Sequence, residues 1–123
     1  MERREFIKQI AGTGAIASAT ALSANRILGA NERINVGLIG CGGRGRYDSR
    51  LMRQVPNVDF TAVCDVYKPH VEAAKAWAGP RCRAYKDFRK LLEQKDLDAV
   101  LIATPNHWHS LIGIWACQAG KDV

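Results

Sequence analysis

The apolar positions of residues 31–123 follow two periods in turn, one typical of strands and one typical of helices. Short apolar runs predict strands at Ile34–Ile39, Val58–Cys64, Arg83–Tyr85 and 98–103. Apolar side chains at helical spacing between these runs predict helices over residues 43–55, 69–78, 88–92 and 106–119. Asp122 and Val123 predict the start of a fifth strand. This alternation predicts an α/β fold of the Rossmann type, a doubly wound parallel sheet with helices on both faces.

Individual residues indicate where these helices begin and end. Pro56 disfavours helix at the preceding residue and ends the first helix, while Pro69 suits the first turn of the second. Asp87 is the candidate N-cap of the third helix and Asn106 that of the fourth. Gly120 is expected to end the fourth helix.

The longer helices are expected to pack an apolar face on the sheet. In the first helix the apolar face comprises Tyr47, Leu51 and Val55. In the last helix it comprises Trp108, Leu111, Ile112, Trp115 and Ala119. A second face of the first helix carries three arginines and is expected to be a solvated outer surface: Arg46, Arg50 and Arg53.

Residues 1–30 differ in character from the rest and are predicted to be an export signal. A basic start precedes a weakly apolar middle rich in Gly, Ala, Ser and Thr. Residues 3–8 (RREFIK) resemble the twin-arginine motif, from which Glu2 and Ile7 depart. This interpretation implies that the protein is exported, already folded, to the periplasm of a bacterium. An amphipathic or disordered arm is the alternative, disfavoured because the middle buries too little apolar surface to form a stable helix.

Composition and charge exclude several classes of protein. The 123 residues include 18 Lys and Arg against 12 Asp and Glu, a net charge of +6 that is dispersed and indicates no nucleic-acid partner. The four cysteines include no C-x-x-C pair, which disfavours a zinc site. No apolar run is long enough to cross a bilayer, so we expect no stable membrane span.

A glycine-rich segment follows the first predicted strand and opens the first predicted helix. Gly40, Gly42 and Gly45 form the pattern G-x-G-x-x-G, and Asp65 ends the second predicted strand. This context is the dinucleotide-binding fingerprint, whose glycines permit a tight turn, close approach of the pyrophosphate and close packing of the helix. The helix N-terminus adds free N–H groups and positive potential. The alternative is a glycine-rich structural turn beside a solvated aspartate.

The cofactor predicted from Asp65 is NAD. A carboxylate at this position accepts hydrogen bonds from the ribose hydroxyls and repels the 2′-phosphate of NADP. Arg44, itself a cofactor-binding candidate, keeps NADP possible, as do Tyr67 and Lys68.

A second polar cluster, residues 104–109 (TPNHWH), follows the fourth predicted strand. In a sheet of order 3-2-1-4-5 this loop faces the glycine loop across the crevice in which ligands bind. His107 and His109 point apart on a helix, so hydrogen-bonding and capping roles are favoured over metal ligation, and no metal site is predicted. Trp108 and Trp115 are expected to pack in the core or between helix and sheet and not to stack on a base.

These segments resemble the N-terminal NAD(P)-binding domain of the Gfo/Idh/MocA oxidoreductase family. The resemblance covers nearly all of residues 33–123, and its most discriminating part is the T-P-N-x-x-H pattern that begins at Thr104. It implies that Gly40, Gly42, Gly43 and Gly45 hold the pyrophosphate and Asp65 the ribose. It also implies that four residues line the nicotinamide side: Thr104, Pro105, Asn106 and His109.

The resemblance further implies that residues 31–123 form a Rossmann domain that is incomplete at its C-terminus. Family members continue with a Glu-Lys-Pro motif and an α/β substrate domain that carries a catalytic His, and neither is present in this sequence. No catalytic residue is therefore assigned, and Lys121 is not taken for the missing lysine. The full-length protein is expected to transfer hydride between NAD and a sugar or cyclitol, and to form a homo-oligomer.

Other functions remain open from the sequence. An NAD-dependent glycosidase of the same family would oxidise its sugar transiently to ease loss of the aglycone. A non-catalytic dinucleotide-binding module and, more distantly, a methyltransferase that uses S-adenosylmethionine fit the glycine loop as well. Cys41 and Cys64 end adjacent predicted strands but are expected to be free thiols.

Overall fold

A computed structural model describes residues 32–123, so the predicted export signal at residues 1–30 lies outside the described part of the chain. Its strands are β1 Ile34–Ile39, β2 Val58–Cys64, β3 Arg83–Tyr85 and β4 Ala99–Ile102. Its helices are α1 Gly43–Met52, α2 Lys68–Ala78, α3 Phe88–Leu92 and α4 Asn106–Gln118. Within residues 32–123, no helix is long and apolar enough to cross a membrane.

The strands form one parallel sheet in the order β3-β2-β1-β4. Beyond β4 the backbone of Asp122 pairs in parallel with Ala99, and the Val100 N–H donates to the Asp122 carbonyl at 2.8 Å. This pairing lies where the fifth strand was predicted. The Rossmann-type architecture is therefore confirmed, with the carboxyl ends of β1 and β4 side by side.

Each face of the sheet carries its own apolar core. Helix α2 packs on one core, whose buried members are Val36, Leu38, Cys41, Phe60, Val63, Ala74, Ala78 and Cys82. Helices α3 and α4 pack on the other, whose buried members are Ile39, Ala62, Cys64, Leu91, Leu92, Leu97, Val100, Ile112 and Ala116. Thr61 is an extra residue in β2, because Val36 pairs with Phe60 and Gly37 with Ala62. This bulge lets Phe60 and Val63 face the same core despite the two-residue period of a strand.

Helix α1 does not pack as its apolar spacing predicted. It ends at Met52, because the chain turns there through bonds such as Val55 N–H to the Met52 carbonyl (3.0 Å). The residues it buries are Gly45 and Ser49, whereas the predicted apolar face is exposed: Tyr47, Leu51 and Val55. Small side chains face the sheet because α1 approaches the strands closely at its first turn.

The arginine face of α1 is solvated at two of its three positions, so its prediction as an outer surface is confirmed in part. Arg50 and Arg53 are exposed, whereas Arg46 is half-buried, and Arg53 also holds the C-terminus of α2. The Arg53 guanidinium donates to the carbonyl of Trp77 at 3.0 Å, lies 5.0 Å from the centre of the Trp77 ring and pairs with Asp59 at 3.6 Å. Arg53 therefore joins α1 to α2 by positive charge at a helix C-terminus.

In α4, only part of the predicted apolar face reaches the core. Of that face Ile112 is buried, and the helix also buries Ala116, which was not predicted. Trp108, Leu111 and Trp115 remain 44%, 43% and 42% exposed, and Ala119 is exposed as well. The apolar face of α4 is wider than the part that contacts the sheet. Its remaining large side chains face the space beyond the carboxyl ends of the strands.

Candidate functional site

The glycine loop is shaped by two positions at which no side chain fits. Gly40 has φ +96°, and a Cβ there would lie 2.5 Å from the carbonyl carbon of Ala103 in the neighbouring loop. A Cβ on Gly45 would overlap the carbonyl oxygen of Gly40. Both residues must be glycine for α1 to begin directly against the ends of β1 and β4.

Helix α1 begins next to this turn with its first N–H groups available. Within residues 32–123, no side chain caps it and its first turn contains no acidic residue. The first N–H groups of a helix have no partner within the helix and carry positive potential. This end of α1 is therefore suited to an anion such as a pyrophosphate.

Asp65 lies at the carboxyl end of β2 and connects the glycine loop to α2. Its Oδ2 accepts a hydrogen bond from the Cys41 N–H at 2.8 Å, and its Oδ1 accepts one from the Tyr67 N–H at 2.9 Å. The side chain is 14% exposed. Since a carboxylate accepts about four hydrogen bonds, Asp65 retains capacity for the hydroxyls of a ligand.

The loop between β4 and α4 is closed by a histidine. His109 Nε2 donates to the Thr104 carbonyl at 2.7 Å, which is the hydrogen-bonding role expected for it. Asn106 was expected to cap α4, and this is wrong: Pro105 occupies the N-cap position and Asn106 is the first helical residue. Pro105 takes this place because its backbone is extended and its carbonyl already accepts from the Trp108 N–H at 3.0 Å.

A cavity of about 740 Å³ lies between these loops. Five of the sequence-predicted site residues line it: Gly40, Gly42, Asp65, Thr104 and Pro105. Five do not border it: Gly43, Arg44, Gly45, Asn106 and His109. Arg44 pairs instead with Asp48 on the surface of α1 at 2.8 Å.

Sequence reasoning missed much of the cavity wall. The segment between β3 and α3 contributes Lys86, Asp87, Phe88 and Arg89. It follows the carboxyl end of a parallel strand, and that position was a usable signal. Helix α4 contributes Trp108, Leu111 and Trp115, a position in the cavity wall that the packing role expected for the two tryptophans did not include. Trp115 does pack, with its ring centre 6.0 Å from that of Phe88, but no sequence signal separated the cavity face from the core face.

The charged part of this wall contains an ion pair. Asp87 caps α3 by accepting from the Arg89 N–H at 2.9 Å, and its Oδ2 lies 2.6 Å from the Arg89 guanidinium. Hydrogen bonds from Arg89 lower the pKa of Asp87 to about 2. Asp87 is therefore the N-cap that the sequence predicted, and it offsets the charge of Arg89.

The cysteines beside the cavity are neutral thiols. Burial raises the pKa of Cys41 and that of Cys64 to about 12. Their side chains belong to different cores, and the Cys41 thiol donates to the Cys64 carbonyl at 3.4 Å. Within residues 32–123, no three His, Cys, Asp or Glu side chains are grouped so that they could hold a metal ion.

These residues fit a dinucleotide. The glycine turn brings the uncapped start of α1 to the cavity, and a Cβ at Gly40 would displace the neighbouring loop at Ala103, which also lines the cavity. The buried Thr104 Oγ1 has no hydrogen-bond partner among the described residues, and Thr104 lines the cavity. A buried hydroxyl without a partner is costly, so this atom is suited to bond a ligand.

Fold and site together define the dinucleotide-binding domain of an oxidoreductase. Residues 34–123 match the Gfo/Idh/MocA family, described as an oxidoreductase family with an NAD-binding Rossmann fold, and the chain belongs to this family. The resemblance found in the sequence is thereby confirmed.

Known relatives of the chain are named as glycosyl hydrolases or as dehydrogenases. It is 37% identical over 107 residues to a glycosyl hydrolase family 109 protein of Saccharopolyspora erythraea, with 76% of this chain and 22% of that protein covered. It is 34% identical over 99 residues to levoglucosan dehydrogenase of Pseudarthrobacter phenanthrenivorans, with 75% and 25% covered. The structure of myo-inositol dehydrogenase of Lactobacillus casei in complex with NAD(H) and myo-inositol matches with a TM-score of 0.67 and 29% identity, covering 72% of this chain and 26% of that one. The chain thus spans about a quarter of the length of these relatives.

Proposed function

We propose that the full-length protein binds NAD in this cavity and transfers hydride between its nicotinamide and a sugar or cyclitol. The observation that carries the proposal is the Asp65 carboxylate held 2.8 Å from the Cys41 N–H, beside a turn that admits no side chain at Gly40 or Gly45. A levoglucosan dehydrogenase and a myo-inositol dehydrogenase among the similar proteins support the substrate class.

The described residues bind and orient the cofactor in this proposal. The glycine turn and the N-terminus of α1 hold the pyrophosphate, and Asp65 accepts from the ribose hydroxyls. The Thr104 hydroxyl and Pro105 border the nicotinamide side. The nicotinamide supplies the hydride chemistry when it is bound. We assign no proton transfer to any residue of the segment 32–123.

The arrangement of charges favours NAD over NADP. Asp65 presents negative charge where a 2′-phosphate would lie. Three cations near the site are already paired with carboxylates: Arg44 with Asp48 at 2.8 Å, Lys68 with Glu72 at 3.6 Å and Arg89 with Asp87 at 2.6 Å. Paired cations offer a phosphate less net positive charge than free ones.

Calorimetric titration of the full-length protein with NAD⁺ and NADP⁺ tests the cofactor assignment. We expect NAD⁺ to bind more tightly, and Asp65→Asn to weaken NAD⁺ binding about tenfold or more, because hydrogen bonds to a charged group are the stronger kind. The matched control is Asp96→Asn, at an exposed aspartate that does not border the cavity. Tighter binding of NADP⁺, or of S-adenosylmethionine, would overturn the assignment.

A second candidate is an NAD-dependent glycosidase, favoured by the glycosyl hydrolase family 109 name of the Saccharopolyspora erythraea relative. The two reactions differ in their redox balance, since a glycosidase of this type regenerates its cofactor. Free sugars and cyclitols should yield net NADH if the protein is a dehydrogenase. Release of the aglycone from nitrophenyl glycosides without net NADH would favour the glycosidase.

We also propose that residues 1–30 direct export through the twin-arginine route to the periplasm. The proposal rests on the RREFIK run and on the need to load a soluble cofactor before translocation. Replacing Arg3 and Arg4 with Lys should leave the protein in the cytoplasm, as measured by cell fractionation. Unchanged export would refute it.

The full-length protein is further proposed to be a homo-oligomer. Apolar side chains exposed on α1 and α4, such as Tyr47 (58%) and Ile114 (56%), offer surface for association. Sedimentation should give a mass that is a multiple of the chain mass, and a monomer at micromolar concentration would contradict the proposal.

A further inference from the structure

His70 lies between the two elements that are proposed to hold the cofactor. Its Nδ1 is 3.4 Å from Asp65 Oδ2, and its ring meets that of Tyr67 edge-on, with centres 4.8 Å apart. Its Cε1 faces the bare backbone of Gly42, 3.8 Å from where a Cβ would be. The imidazole lines the cavity and is 40% exposed. The glycine fingerprint gives this histidine no role.

Asp65 is the charged group in contact with His70. On the same helix, Tyr67 contributes an aromatic edge and Lys68 is paired with Glu72 at 3.6 Å. The glycine loop presents only backbone at Gly42. The remaining charged groups of the cavity wall come from the segment between β3 and α3: Lys86, Asp87 and Arg89. Asp87 and Arg89 neutralise one another in an ion pair, with 2.6 Å between the Asp87 Oδ2 and the Arg89 guanidinium.

We propose that His70 is a specificity-determining residue, which controls through its own charge how strongly Asp65 rejects a 2′-phosphate. This inference rests on the proposed function. Neutral His70 leaves the carboxylate charge uncompensated, so NAD is preferred. Imidazolium offsets that charge and adds a cation near the phosphate. Since histidine changes charge between about pH 5 and pH 8, the preference for NAD over NADP falls as the pH falls.

The test measures the ratio of the dissociation constants for NADP⁺ and NAD⁺ in the full-length protein near pH 5 and near pH 8. The 2′-phosphate itself titrates near pH 6, so acidification lowers the ratio even without His70. The informative quantity is therefore how many times more the ratio falls between pH 8 and pH 5 in the wild type than in His70→Gln. We expect an excess of about two- to fivefold, the size typical of a partly exposed ion pair.

Two further variants make the outcome decisive. His70→Lys keeps a positive charge at both pH values. Its ratio of the dissociation constants for NADP⁺ and NAD⁺ should therefore be low near pH 5 and near pH 8. His107→Gln removes an imidazole that does not border the cavity and should behave as the wild type. Thermal unfolding checks that each variant folds. As an independent measurement, NADP⁺ should raise the titration midpoint of the His70 ring in NMR more than NAD⁺ does.

The outcomes separate this inference from the proposal on which it rests. If both dinucleotides bind and the wild type and His70→Gln show the same change with pH, His70 does not determine specificity and the inference is overturned. The cofactor assignment would survive that result. If neither dinucleotide binds, both fail together.

Discussion

The glycine loop and the loop between β4 and α4 lie side by side at the ends of neighbouring strands, yet different interactions hold them. The path of the glycine loop is set by its backbone, because a Cβ on Gly40 or Gly45 would collide with main-chain atoms, and the Asp65 carboxylate adds one hydrogen bond to the Cys41 N–H. The second loop is fixed by a side chain, the bond from His109 Nε2 to the Thr104 carbonyl (2.7 Å). One half of the site thus tolerates no side chain at Gly40 or Gly45, while the other depends on a hydrogen bond that a substitution can remove.

This difference predicts unequal sensitivity to substitution. Steric exclusion by backbone cannot relax without moving a strand or helix, whereas a lost hydrogen bond leaves the chain path unchanged. Substitutions at Gly40 and Gly45 should therefore change folding, and those in the second loop should change mainly ligand binding or local stability.

The largest effect is expected for Gly40→Ala. The new Cβ would lie 2.5 Å from the Ala103 carbonyl carbon at a φ of +96°. We expect a loss of about 2–5 kcal/mol in the free energy of unfolding, measured by urea denaturation of the full-length protein.

Gly43→Ala is the matched control for the same loop. A Cβ on Gly43 meets nothing within 4 Å among the described residues, so this variant should be as stable as the wild type or up to about 1 kcal/mol more stable. Equal stability of the Gly40 and Gly43 variants would refute the steric account of the loop.

Next in size is the effect of Thr104→Val on ligand binding. The buried Oγ1 of Thr104 has no partner among the described residues, so its loss should leave stability unchanged or higher. Binding of NAD⁺ should weaken about three- to tenfold if the hydroxyl bonds the cofactor. Calorimetry and urea denaturation on one sample give both values. A fall in stability with unchanged binding would mean that the hydroxyl stabilises the folded protein and does not bond the cofactor.

An effect of similar size, on stability and not on binding, is expected for His109→Ala, which removes the bond to the Thr104 carbonyl. The free energy of unfolding should fall by about 0.5–1.5 kcal/mol. His107→Ala, in the same turn of α4, removes an exposed ring that contacts Trp108 and serves as the comparison. If the two variants lose the same stability, the second loop is not held by His109.

The smallest effect concerns the third loop, between β3 and α3, and is a loss of stability in acid. Arg89 depresses the pKa of Asp87 from 3.8 to about 2, so ionised Asp87 stabilises the folded state above pH 3.8. This contribution is lost as the pH falls towards about 2. The stability difference between the wild type and Asp87→Asn should therefore shrink from pH 5 to pH 2. A difference that is independent of pH would contradict the ion pair.

The sequence allowed the strands and the glycine half of the site to be predicted more fully than the helix faces. Ile34–Ile39 and Val58–Cys64 were predicted with their observed bounds, because apolar runs buried on both faces end at turn residues. The exposure of Tyr47 and Leu51 was not predicted, because the close approach of α1 is decided by Gly45 and Ser49.

The second half of the site was harder to predict, because it depends on which elements meet. Periodicity placed Trp108 and Trp115 on one helix face with Ile112 but could not show that only Ile112 reaches the core. Likewise, no local pattern indicated that Arg53 would hold the end of α2, or that His70 would contact Asp65. These contacts form only when the chain folds, so no spacing of residues in the sequence predicts them.

The most direct test of the account is the crystal structure of the full-length protein with NAD⁺. We predict the pyrophosphate against the first turn of α1, the adenosine ribose within hydrogen-bond distance of the Asp65 carboxylate, and the Thr104 hydroxyl bonded to the cofactor. A dinucleotide bound elsewhere, or a ribose that leaves Asp65 without contact, would contradict the central claim that these two loops form a single NAD site.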